Sequence, residues 1–233
     1  MLIDHGGGVW TAASEIRLPG FWLPLRMTVV GLEGGLWVHS PIAFDPVLAD
    51  RVAKLGPVRW LVGPNLLHHR SLGAWAAHFG DAELWGAAGL AAKRPDLHFT
   101  GTLGTGPQPW PHALESIAIE GSPKIGETVF FHRPSATLIV TDLLFNVLVM
   151  RGLATPWVLR LMGTHRRLAQ SRAWRFGITD RIAFARSGQR LLDLAPERLI
   201  VGHGEVIERL QPGALEHALS WMCGTAKALP PAA

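Results

Sequence analysis

The sequence predicts an α/β protein built as a four-layer αββα sandwich. Short apolar runs with strand character fall into two groups, before about residue 101 and after about residue 111. Capped, helix-periodic stretches lie between and beyond those runs, as they must if helices cover the outer faces of two sheets. Hydrophobic residues make up 48% of the 233 residues and charged residues 17%. That supplies a sizeable core and excludes disorder. The whole chain, 1–233, is expected to be one domain whose two β-rich halves meet near the glycine- and proline-crowded stretch 101–111.

The elements follow in order. Met27–Leu32 and Leu36–His39 read as a hairpin turning at Glu33-Gly34-Gly35. Asp45-Pro46 is an N-cap with proline in the first turn, and the helix it opens stops at Gly56-Pro57. Val58–Val62 is a buried strand feeding a loop that carries Asn65, His68 and His69. Ser71–Phe79 is helical, Ala82–Trp85 a strand, and Ala87–Ala92 a short helix. In the second half, strands are expected at Leu114–Glu120, Glu127–His132 and Thr137–Thr141, then a helical region to about Gln170 broken near Thr155-Pro156. Asp180 caps a helix to about Leu194, Arg198–Val201 forms the last strand, and a C-terminal helix runs from about Pro212 to Lys227.

Lysine and arginine number 22 against 18 acids, a formal charge of +4 that argues against nucleic acid as a partner unless the charge is clustered. The single cysteine, Cys223, cannot build an internal disulfide or a thiolate metal cluster. A reducing, cytoplasmic location fits, no export signal is visible at Met1–Trp10, and any metal site must use histidine and carboxylate. The most apolar stretch, Leu138–Gly163, is interrupted by Asp142, Asn146, Arg151 and Arg160 and is too broken to span a membrane.

Four apolar strands end in polar loops: at His39, before His68-His69, at Thr141-Asp142, and at Gly202-His203. If those strands share an edge, their loops converge on a cluster of histidines and a carboxylate, donors that zinc, iron or manganese accept. Read singly, the residues have plainer roles. His68-His69 could be a turn pair, Asp142 a helix N-cap, and His203 a turn residue between glycines. His39 and His132 could be proton carriers or satisfied polar groups at strand ends.

The stretch Pro64-Asn65-Leu66-Leu67-His68-His69, the stretch Thr141-Asp142-Leu143-Leu144-Phe145 and the late Gly202-His203-Gly204 together resemble the metallo-β-lactamase superfamily. Its ligand loop reads H-x-H-x-D-H, of which this chain keeps only the last histidine, His69. Pro64 and Leu66 occupy the first two ligand positions and His68 the aspartate position, and no histidine lies near Ser122–Gly126 for the middle ligand. More narrowly, His39-Ser40-Pro41, Pro64-Asn65, His132-Arg133-Pro134-Ser135 and Gly202-His203-Gly204-Glu205 are similar to a bacterial family of that superfamily known only as a domain of unknown function, over roughly residues 8–210.

The resemblance implies a metal-dependent hydrolase of an ester, amide, lactone or phosphoester, using water activated by one divalent ion, with zinc the first choice and iron or manganese the alternatives. The ion would be held by His68, His69, Asp142 and His203, with His68 the labile ligand, and His132 or His39 would move protons. The alternative is a non-catalytic descendant that binds a small-molecule ligand or a partner. The arginine-rich stretch Arg151–Arg175 beside apolar Leu143–Val149 and Trp157–Met162 could instead touch an anionic surface, a peripheral membrane contact, or simply be a solvated face.

Overall fold

The computed structural model describes residues 1–110 and 112–224. Its first half is a seven-stranded sheet of β1 (Leu2–Asp4), β2 (Val9–Leu18), β3 (Phe21–Leu32), β4 (Gly35–His39), β5 (Val58–Gly63), β6 (Glu83–Gly86) and β7 (Gly101–Thr102), in that order. The strands are antiparallel up to β4 and parallel from β4 to β7. The parallel steps are joined by α1 (Pro46–Ala53), α2 (Leu72–His78) and α3 (Leu90–Lys93). As expected, α1 opens with Pro46 behind Asp45, whose carboxylate accepts from Val47 N at 2.9 Å.

The second half adds β8 (Leu114–Ala118), β9 (Thr128–His132), β10 (Thr137–Ile139), β11 (Phe145–Asn146), α4 (Thr155–Met162), α5 (Arg181–Asp193), β12 (Arg198–Ile200), β13 (His203–Gly204), α6 (Ala214–Ala218) and α7 (Ser220–Cys223). Its main sheet runs β12-β10-β9-β8, and β11 pairs with β13 in a small separate ribbon. Asp180 caps α5 as expected, accepting from Ile182 N and Ala183 N.

The layering follows from a period of two. On β4 and β5, Leu36, Val38 and Leu61 pack outward on the helices, and Trp37, Trp60 and Val62 point inward. On β10 and β12, Ile139 and Ile200 meet them from the other sheet, and Leu138 and Leu199 face the helices of the second half. Strands buried on both faces read as continuous apolar runs, the pattern legible in the sequence. The result is the expected helix–sheet–sheet–helix stack.

Three expectations are corrected. The hairpin at Met27–His39 is preceded by a longer one, β2–β3, which turns at Pro19-Gly20. The region from Leu143 to Gln170 is not mainly helical: β11 pairs with β13, and helix is confined to α4. The C-terminal helix is two short ones, α6 and α7, and its expected end at 225–227 lies outside the described residues.

Two glycines make the second half close. A Cβ on Gly202 would lie 2.9 Å from Thr141 Cα, and Gly204, at φ +112°, would drive one to 2.1 Å from Asn146 O. They let the backbone on either side of His203 lie against the strands next to it. Among the described residues no helix is long and apolar enough to cross a membrane.

Candidate metal centre

Parallel pairing of β4 with β5 and of β10 with β12 brings the C-terminal ends of four strands to one edge of the sandwich. Ser40 follows β4, the loop 64–71 follows β5, Asp142 follows β10, and His203 follows β12. The two sheets are tied there by Thr128 N donating to Pro64 O at 2.8 Å and Leu66 N donating to Ile125 O at 3.0 Å.

His68, Asp142 and His203 meet at this edge, each offering one donor atom, all within 4.8 Å of one another. His68 Nε2 lies 3.2 Å from His203 Nε2 and 3.4 Å from Asp142 Oδ2, and His203 Nε2 lies 3.2 Å from Asp142 Oδ1. The outer ring nitrogens are held elsewhere. His203 Nδ1 is 2.8 Å from the carbonyl of Pro24, which can only accept, so Nδ1 carries the hydrogen and Nε2 presents a lone pair. His68 Nδ1 is 2.7 Å from Ser40 Oγ, which fixes that ring.

Burial pushes the His68 imidazole down to about 4, against the pull of the Asp142 charge. Burial alone would raise Asp142, but His68, His203 and the Asn65 amide outweigh it and hold the carboxyl well below the ordinary carboxylate range. Two imidazole Nε2 atoms and a carboxylate therefore meet at one point. That donor set fits a divalent cation, with each histidine oriented by an outer partner.

Asn65 builds the loop and the carboxylate together. Its Oδ1 accepts from Leu67 N and His68 N, at 2.9 and 2.8 Å, while its Nδ2 donates to Asp142 Oδ2 at 2.7 Å. Beneath it lies Glu127, buried just before β9, accepting from Thr141 N and Asp142 N at 2.8 Å each. Burial and the charge of Asp142 push Glu127 up to about 7, against those donors. Neither residue's role was read from the sequence. The available signal was an acid two residues before the apolar run Val129–Phe131, directly after the histidine-free stretch Ser122–Gly126.

The other expected site residues lie apart. His69, expected as a ligand, is turned toward Arg94, which donates to its carbonyl at 2.8 Å and sits 3.4 Å from its Nδ1. The Asn65 turn commits His68 to the centre and leaves His69 at the rim, the reverse of the expectation that His68 would be the loose one. His39 is buried against Trp37, ring centroids 5.2 Å apart, with neither ring nitrogen hydrogen-bonded. Burial, and then His68, push it down to about 3, so the ring sits neutral within the core. His132 pairs with Thr137 at the beginning of β10, the end away from Asp142, and its Nδ1 meets Ser135 Oγ at 2.7 Å. Asp142 caps no helix. Its carbonyl accepts from Trp174 Nε1 at 2.8 Å.

A cleft of about 400 Å³ opens onto the three converging residues. Its wall is the β2–β3 hairpin, through Ile16, Leu18, Phe21, Leu23 and Leu25, with Pro41 and Ile42 opposite and His69 and Arg70 at the rim. Arg26 anchors the hairpin by donating to Gly204 O at 2.5 Å.

This architecture is the metallo-β-lactamase fold. The chain is similar to the metallo-β-lactamase of Pontibacter korlensis (TM-score 0.66, 16% identity, covering 95% of this chain and 98% of that one). It is also similar to the metallo-β-lactamase of Hirschia baltica (TM-score 0.64, 10% identity, 96% and 97%). A third likeness is to the metallo-β-lactamase FIM-1 of Pseudomonas aeruginosa in its mono-zinc form (TM-score 0.63, 13% identity, 98% and 95%). Residues 6–160 match the family described as Domain of unknown function (DUF4336), and the chain belongs to that family. No curated protein sequence matches it significantly.

Proposed function

We propose that the chain is a metal-dependent hydrolase with one divalent ion, zinc first, held by His68, Asp142 and His203. The observation that carries this reading is the convergence of two imidazole Nε2 atoms and a carboxylate on one point, with a hydrogen placed on His203 Nδ1 by Pro24 O. The mono-zinc form of FIM-1, on the same fold, supports one ion as a workable state. Three protein donors is the count of catalytic zinc sites, whereas the four expected from the sequence would suit a structural one. His69 standing aside therefore favours catalysis.

A bound ion supplies a Lewis acid and acidified water for attack on an ester, amide, lactone or phosphoester. The chain's own residues do the rest. Ser40 and Pro24 O hold the two rings, Asn65 aims the Asp142 carboxylate, and the hairpin side chains exclude water and seat an apolar part of the substrate. Arg70 and His69 at the rim would meet an anionic or polar end.

The test is turnover of generic ester, lactone and phosphodiester substrates by zinc-loaded protein, repeated with Asp142→Ala. Activity lost in the variant supports the hydrolase. Binding of zinc without turnover of any of these substrates supports the alternative, a ligand-binding descendant.

A further inference from the structure

We propose that the face formed by α4, the loop before it and the arginine-rich segment after it docks on an anionic lipid bilayer. Between Leu143 and Thr179 the sequence has six arginines, Arg151, Arg160, Arg166, Arg167, Arg172 and Arg175, and no aspartate or glutamate. All six are exposed. Among the described residues only Arg151 has a carboxylate partner, Glu15 at 4.0 Å. The same segment exposes large apolar side chains. Trp157 is 71% exposed and Leu161 77%, four residues apart on one side of α4, and Leu153, in the loop just before the helix, is 92% exposed, while Leu159 faces the core.

Exposed leucine and tryptophan in one stripe, flanked by arginine alone, is the composition of a helix lying at a membrane surface: the apolar side enters the headgroup boundary and the cations meet lipid phosphates. Arg160 lies over the Trp157 ring at 5.2 Å, so charge and apolar anchor are adjacent. Just past α4 a cleft of about 260 Å³ is lined by Arg167, Arg172, Arg175 and His217 with no acid, a recess of the charge and size for a phosphate headgroup. Arg175 is held there over Trp221, at 4.8 Å.

The charge also argues against the other occupants. A second copy of the chain docking through the same face would bring six arginines against six. A nucleic acid would use the arginines but leave Leu153, Trp157 and Leu161 without apolar contact. The tip of the β2–β3 hairpin is joined to this face by Ala154 N donating to Gly20 O at 2.7 Å, which puts the apolar cleft beside the docking surface. The inference does not depend on a metal.

Flotation with vesicles of phosphatidylglycerol mixed with phosphatidylcholine tests it, with pure phosphatidylcholine vesicles and a short DNA duplex as comparisons. The expected result is binding to the mixed vesicles, little to phosphatidylcholine, and weakening with salt. Arg166→Ala with Arg167→Ala should lower partitioning about tenfold or more, and Trp157→Asp with Leu161→Asp should lower it comparably. Inorganic phosphate at equal concentration should not displace the protein. Wild-type protein that ignores the mixed vesicles, that binds pure phosphatidylcholine as well, or that binds duplex with an affinity untouched by the Trp157/Leu161 change would overturn the proposal.

Discussion

His68 Nε2 and His203 Nε2 face each other at 3.2 Å, with the outer nitrogen of His203 committed to the carbonyl of Pro24. Two imidazole nitrogens this close need either a hydrogen on one of them, shared as an N–H···N bond, or a cation between them. Asp142, within 3.4 Å of both rings, adds the negative charge that favours either.

Ser40 Oγ is the outer partner of His68. Ser40→Ala leaves all three donors present but frees the His68 ring. Losing such an outer partner costs about 10- to 100-fold in metal affinity. Zinc competition titrations should show that loss with little change in thermal stability of the metal-free protein. Unchanged affinity would mean that the serine does not orient the ring.

Glu127 accepts from Thr141 N and Asp142 N, and Asn65 Nδ2 lies 3.3 Å away, all in a buried place. Glu127→Ala strands those donors, and each buried donor left without an acceptor costs about 1–3 kcal/mol. Denaturant unfolding should show a loss of at least about 3 kcal/mol, with Glu127→Gln milder because one carbonyl acceptor remains. A change within experimental error in both variants would contradict the role given to Glu127.

His39 sits neutral in an aromatic cluster with Trp37 and Phe130, pushed down to about 3 by burial from its usual 6.5. Between those values the unfolded chain binds a proton there that the folded chain does not. Stability contributed by this site is therefore fully present above pH 6.5 and is lost as pH falls, by up to about 1.4 kcal/mol per pH unit. His39→Phe keeps the ring and removes the proton. Its stability relative to the wild type should improve steadily from pH 7 to pH 5 in urea unfolding. A constant difference between the two proteins would show that His39 titrates normally.

The fold was legible because its central strands are buried on both faces. Leu36–His39, Val58–Val62, Leu138–Val140 and Leu199–Val201 are apolar but for His39 and the exposed Arg59, each next to a turn signal, and their ends carry the candidate chemistry. His68, Asp142 and His203 stood out as candidates for that reason, and the three converge. The β2–β3 hairpin escaped because β2 mixes Ala13, Ser14, Glu15 and Arg17 with apolar residues and is only partly buried. Leu143–Met150 read as helix from its leucines, but pairing of Phe145 with His203 overrides that local preference. Which histidine of the pair turns inward was decided by Asn65, whose partners Thr141 and Asp142 lie 76 and 77 residues away. No local pattern could carry that.

Metal stoichiometry with single-histidine variants tests the central claim most directly. Elemental analysis and zinc titration of purified protein should give one ion per chain, abolished in His68→Ala, Asp142→Ala and His203→Ala and retained in His69→Ala. Two ions per chain, no ion at all, or a site lost in His69→Ala and kept in His68→Ala would contradict it.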